Sequence, residues 1–171
     1  MDEIKLVRKS KKGNNIAFST LIKNYEKDLY KVAIAMTKNE DDALDCIQET
    51  ILQSYISIKN LKKDEYFKTW LIKILINKCN VLLKRNKKIL NIDATITGNS
   101  QIEDADKIDI KDSIYNLDDE LKILIVLYYY EDMSIKDISE VLNIPEGTIK
   151  SRLSRARNKL KKMLDINGEV I

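Results

Sequence analysis

Apolar side chains recur three or four residues apart through most of this chain, and a single proline, Pro145, stands among its 171 residues. Spacing of that kind puts i, i+3, i+4 and i+7 on one helix face. With so little to break a helix, long segments are free to stay helical. Three stripes share the N-terminal half: Phe18, Leu21, Tyr25, Leu29, Val32 and Met36; then Leu44, Ile47, Ile51, Tyr55 and Ile58; then Phe67, Trp70 or Leu71, Ile74, Val81 and Leu82. The last ends in the basic cluster Lys84, Arg85, Lys87 and Lys88. The beat then stops. From Asn91 to Asp112 come Gly98, scattered threonine and serine, and Glu103, Asp104, Asp106, Asp109 and Asp112 against Lys107 and Lys111, which reads as an acidic linker. Periodicity returns at Leu117, Leu121, Leu124 and Tyr128 and runs to about Leu164. The expected fold is all-α: a helical domain over residues 1–90, a linker over 91–112 and a smaller helical domain over 113–171.

What the chain lacks narrows its chemistry. It contains no histidine, which removes the commonest general base and transition-metal ligand together. Cys46 and Cys79 are far apart, with no spacing that suggests zinc or a redox pair, and are expected to be small core residues. No glycine-rich phosphate loop is present. An enzyme is therefore disfavoured, and neither cofactor nor metal is expected. Nothing resembles a signal peptide or a bilayer-spanning stretch, so a soluble, cytoplasmic protein is expected. The net charge is only +3, and any nucleic-acid surface must come from local clustering.

The segment Ser134 to Met163 supplies such clustering. Ser134 suits the N-cap of a short helix carrying Ile135, Ile138, Val141 and Leu142 on one side. Asn143-Ile144 makes a tight connection, and Pro145 suits the first turn of a longer helix. That is a helix-turn-helix plan. At 100° per residue, Ile149, Leu153, Ala156, Leu160 and Met163 share the core side. Lys150, Ser151, Ser154, Arg155, Asn158 and Lys161 share the other, where they can meet base edges. Arg152, Arg157 and Lys159 flank the core stripe within reach of phosphates. A solvated basic face would give the same charge run; the short helix and turn before it favour DNA.

In the N-terminal half, Asp42, Asp45, Glu49 and Gln53 lie opposite the second stripe and form an acidic ridge, either solvated or able to dock on a basic partner. Carboxylates on an exposed convex helix imply no glycosidase pocket. Further on, Phe67 and Trp70 alternate with Lys68, Lys73 and Lys78, a pattern suited to stacking and tracking a single strand. The same aromatics would serve equally as core.

The run "IPEGTIKSRLSRAR" (Ile144 to Arg157), with the helix before it, resembles region 4.2 of the extracytoplasmic-function (ECF) sigma factors. "DDALDCIQETILQSY" (Asp41 to Tyr55) is similar to their region 2.2, and "FKTWLIKILINKC" (Phe67 to Cys79) to regions 2.3 and 2.4. The resemblance covers about residues 16–88 and 117–164. It implies a monomeric subunit that brings core RNA polymerase to promoters. Lys150, Ser151, Ser154 and Arg155, with Arg152, Arg157 and Asn158 beside them, would read the −35 element. Leu61, Phe67, Trp70, Lys73 and Asn77 would engage the −10 element, with the loop Lys59 to Glu65 conferring base preference and a flipped base trapped as the promoter melts. Asp42, Asp45, Gln48, Glu49 and Gln53 would grip the β′ clamp helices, and the β flap would meet the second domain. The linker would thread toward the RNA exit path or serve as a plain tether. Control by a membrane-anchored anti-sigma factor is also implied. Two other readings stay open on the residues alone: a dimeric helix-turn-helix regulator of palindromic sites, and a helical adaptor that binds no DNA.

Overall fold

The computed structural model of the chain describes residues 2–92 and 110–166. Its elements are α1 (Glu3–Lys11), α2 (Asn15–Thr37), α3 (Glu40–Ser57), two single 3-10 turns (Ile58–Asn60 and Asp64–Tyr66) and α4 (Phe67–Ile92). Then follow α5 (Ile110–Tyr115), α6 (Asp119–Ile125) running into a π turn (Val126–Tyr130), α7 (Ile135–Leu142) and α8 (Glu146–Ile166). No strand occurs among the described residues. Most of the expected linker, residues 93–109, lies outside them.

Polar residues set the helix starts. Side chains of Asp2, Asn14, Asn39 and Ser134 each accept a backbone N–H of the first turn they precede. Each such cap stabilises a helix by about 1 kcal/mol. Lys38 and Asn143 close α2 and α7 in the left-handed conformation, at φ 56° and 55°. For asparagine that geometry is cheap; for lysine it is not, and Lys38 is held there by its N–H bond to the Ile34 carbonyl.

Helices α2, α3 and α4 form a three-helix core, with α1 laid across α2 and the 3-10 turns. The α2 stripe is as the periodicity predicts: Phe18, Leu21, Tyr25, Leu29 and Val32 are all buried, with Met36 partly so. Two phases need correction. On α3 the buried face is Ala43, Cys46, Thr50 and Ser54, while Leu44 and Tyr55 of the predicted core stripe are exposed and Ile47 and Ile51 only half-buried. Small residues let α3 approach α2 and α4 closely, and the hydroxyls of Thr50 and Ser54 are satisfied by the carbonyls of Cys46 and Ile51 in their own helix. On α4 the core residues are Phe67, Leu71, Ile72, Leu75, Ile76 and Cys79, leaving Ile74 half-buried and Val81 in solvent. Cys46 and Cys79 are buried free thiols, as expected of core cysteines, and burial raises both pKa values. Helix α1 was not foreseen; it buries Leu6, Val7 and Ser10.

The C-terminal helices fold around Leu121, Leu124, Leu127, Ile138, Val141, Ile149, Leu153 and Ala156. This core is continuous with the N-terminal one, because α6 and the π turn pack on α2 and α7 packs on α4.

Candidate polymerase and nucleic-acid interfaces

The helix-turn-helix is pinned at its turn. The Ser139 hydroxyl donates to the Ile144 carbonyl at 2.7 Å, and the Ile144 N–H returns a 3.3 Å bond to Ser139 O. The Pro145 carbonyl accepts from Thr148 and Ile149, so Pro145 stands as the cap of α8, one position before its first turn. Buried Ile149, Leu153 and Ala156 then fix the rotation of α8 against α6 and α7. Lys150, Ser151, Ser154, Arg155, Asn158, Lys161 and Lys162 face solvent together. Lys150 and Arg155 make no ion pair within the described residues, so their charge is available to a partner.

The flanking cations behave differently. Arg152 pairs with Glu120 at 3.1 Å and Lys159 with Asp118 at 3.0 Å, both bracing α8 against the start of α6. Arg157 donates to the Tyr129 hydroxyl at 3.2 Å. These contacts hold the helix in its pose, which periodicity alone does not reveal.

A second surface lies on α3. Asp45, Gln48, Glu49 and Gln53 are exposed as the sequence predicts. Asp42 is half-buried and accepts from the Asn86 amide of α4 at 3.2 Å, and Glu49 meets Lys78 at 3.3 Å. Between these polar groups stand Leu52, 57% exposed, and Ile56, 67% exposed, which the sequence reading did not single out. At helical spacing they share the outer face of α3 with Asp45 and Glu49, while Val81 of α4, also 67% exposed, stands beside those two acids. A groove of about 470 Å³ runs between the helices, lined by Asp45, Gln48, Glu49, Val81 and Arg85. The spacing of Ala43, Cys46 and Thr50 is the signal that would have found this face, since small residues at helical spacing mark a tight packing side.

The third surface is the start of α4 with the turns before it. Lys73 and Asn77 are exposed and Trp70 is half-buried at the mouth of a cleft. Phe67 is not available to a ligand: it has no exposed surface and packs between Tyr25 and Trp70, with ring centroids 5.6 and 5.8 Å away. Leu61 is likewise buried, at the floor of the cleft. Both are corrected from contact residues to core residues that shape the site, because side chains this apolar gain more from burial than from exposure to a polar strand. Tyr66 and Lys63, by contrast, stand at the rim, with Lys63 Nζ 5.4 Å from the Tyr66 ring centre.

The loop carrying these residues is held from α1. Asp64 accepts from Arg8 Nε at 2.8 Å and from Lys11 Nζ at 2.6 Å. Those two hydrogen bonds hold its carboxyl below the usual aspartate range. Among the described residues, no cluster of possible metal ligands occurs, and no helix is long and apolar enough to cross a membrane.

Residues 21–89 match the family Sigma-70 region 2, and residues 109–160 match Sigma-70, region 4. The chain is 32% identical to the ECF RNA polymerase sigma factor SigW of Bacillus subtilis (strain 168), over 94% of this chain and 95% of that one. It is 33% identical to the RNA polymerase sigma factor SigV of the same organism, over 86% and 91%. Among solved structures it is similar to the sigma factor RpoE of Bartonella quintana in complex with the anti-sigma factor NepR, with TM-score 0.69, 26% identity and coverage of 86% and 98%. CnrH, in complex with the cytosolic domain of CnrY, has the same fold, with TM-score 0.69 at 24% identity over 96% and 97%.

Proposed function

The chain belongs to the ECF sigma factors, which bind core RNA polymerase and direct promoter-specific initiation, and on that premise we propose how its surfaces divide the work. The face Lys150, Ser151, Ser154, Arg155 and Asn158 reads the −35 element in the major groove. Free Arg155, with room to grip a guanine edge bidentately, is the observation that carries this. Lys150 and Arg157 approach phosphates, while Arg152 acts chiefly by bracing α8.

The outer face of α3 docks on the polymerase. Leu52 and Ile56 supply the apolar centre that desolvates, and Asp45, Gln48, Glu49 and Gln53 form the polar rim that orients a basic partner. Trp70, Lys73 and Asn77, with Tyr66 at the rim, take the non-template strand of the −10 element, and trapping an unstacked base there drives local melting. No step in this scheme makes or breaks a covalent bond, so the protein has no catalysis of its own. It works in the cytoplasm, under a separate anti-sigma protein that competes for these faces.

Run-off transcription on fragmented genomic DNA from the source, with core polymerase alone and with the added protein, tests the scheme. Discrete new start sites sharing two spaced upstream elements are expected. Unchanged transcripts with tight duplex binding would instead mark a regulator acting without polymerase.

A further inference from the structure

Between α2 on one side and α5, α6 and the π turn on the other lies a cavity of about 290 Å³ that none of the contacts proposed above uses. That volume stands at the small end of the range for small-molecule sites. Ile34 and Ala35 line it from α2, and Ile114 and Val126 line it from the other side. The rings of Tyr115 and Tyr130, both partly in solvent, stand at its mouth. Two cations join this apolar wall, Lys31 and Lys122, and among the described residues no carboxylate does.

The two lysines differ in how their charge is met. Lys31 is open to solvent and belongs to a balanced cluster. It meets Asp28 at 3.3 Å and Glu131 at 3.7 Å, and Lys68 meets the same two carboxylates at 3.6 and 3.0 Å. Lys122 is only 2% exposed and lies over the Tyr115 ring, its Nζ 5.6 Å from the ring centre. Its ion-pair partner among the described residues, Asp119, is 3.8 Å away, largely exposed, and held at 2.6 Å by Lys38. One carboxylate thus serves two ammonium groups. Burial and nearby Lys38 lower the Lys122 pKa, with Asp119 pulling the other way. A buried cation so weakly compensated destabilises the chain unless an anion joins it.

We propose that this cavity binds a single-chain amphipathic carboxylate, of the size of a medium-chain fatty acid. The carboxylate meets Lys122, and the chain lies against Ile34, Ala35, Ile114 and Val126. Inorganic phosphate or a nucleotide would leave the apolar wall without a partner, and a plain hydrocarbon would leave Lys122 uncompensated. The cavity is too small for a two-chained lipid. The site is separate from the −35, −10 and polymerase faces, since none of the residues assigned to them lines it. A bound molecule touches α2, α5, α6 and the π turn at once, and so stabilises the folded chain in proportion to its occupancy.

The test uses the full chain and two probes below their micellar concentration, decanoate and the uncharged decan-1-ol. Equilibrium dialysis against each, radiolabelled, counts the equivalents bound. Expected is a single equivalent of decanoate, held about tenfold more tightly than the alcohol by its charge-assisted contact with Lys122. Lys122→Met keeps the apolar stem and removes the ammonium. It should abolish the tenfold preference while leaving the affinity for the alcohol unchanged. A decanoate carrying a diazirine at its far end should label peptides holding Ile34 and Ala35, or Ile114 and Val126, and unlabelled decanoate should suppress that labelling. This mapping needs only the native chain, so it decides the matter even where the variant does not fold. No decanoate binding overturns the proposal, as do several equivalents bound without regard to the head group. Labelling confined to other peptides overturns it too, as does a folded Lys122→Met chain that still prefers decanoate.

Discussion

Helices α8 and α3, the two proposed contact helices, are built on opposite plans. In α8 the apolar residues point inward and the outward face is charged, so hydropathy separates core from contact. In α3 the inward face is Ala43, Cys46, Thr50 and Ser54, and leucine and isoleucine point outward. On the proposed reading the reason is the partner. DNA offers phosphates and base edges, and a helix serving it can obey the rules of a solvated surface. A protein partner removes water from the middle of its contact, so the contact keeps apolar residues that a solvated face would discard. Apolar periodicity on α3 therefore does not mark the face buried within the chain, which is lined by small and hydroxyl residues.

The sharpest way to break this contrast is Leu52→Asp with Ile56→Asp. Loss of affinity for core polymerase of about a hundredfold is expected if the pair forms a desolvated hot spot, with the melting temperature of the free protein unmoved. Unimpaired polymerase binding would return α3 to a merely solvated face. The counterpart on α8, Arg155→Ala, should weaken −35 duplex binding by roughly 1–3 kcal/mol and relax preference at one base pair, leaving polymerase binding intact. A uniform loss across all sequences would reassign Arg155 to phosphate.

Thr50→Leu probes the other side of α3. It adds volume where the helices are closest and should cost about 1–3 kcal/mol of stability, seen as a lower melting temperature. Leu52→Thr, one turn-face away, should cost no more than about 0.5 kcal/mol. Equal costs would mean that the faces have been assigned the wrong way round.

The smallest effects concern two carboxylates of opposite habit. Asp64 is held low by Lys11 and Arg8, so what it contributes is present above the ordinary aspartate value and lost as pH falls through its own lowered one. Burial holds Glu131 above its ordinary value, with Lys68 pulling the other way. The charged groups facing it are Lys68 on α4 and Lys31 and Asp28 on α2. Its folded form binds the proton more readily, so its contribution to stability is full below the ordinary glutamate value and is lost as pH rises through the raised one. Acidification should therefore loosen α1 but not the segment around Glu131, seen as faster proteolysis at α1 with cleavage near residue 131 unchanged. Parallel changes in both signals would refute the opposite signs.

These contrasts also explain what the sequence disclosed. The all-helical fold, the helix-turn-helix and the exposed basic face of α8 were legible because each rests on local signals: caps, one proline, and charge opposite apolar residues. The phase of α3 was not, since its packing side is small and partly polar. Phe67 was read as a contact because an aromatic among lysines looks alike whether it faces a base or a core, and Leu61 because the resemblance puts it in the base-preference loop; for Phe67 the rings of Tyr25 and Trp70 decide. Glu131 gave no local sign, because its partners lie far away in sequence on α2 and α4.

Arg8 and Lys11 put the opening helix in control of a loop more than fifty residues downstream. A chain trimmed of α1 would uncover the part of α2 on which Leu6 and Val7 pack, and the loop beside Trp70 would lose its two anchors. If that loop meets the −10 strand as proposed, the expected cost is poorer spelling: less selective starts, with no residue at the DNA contact changed.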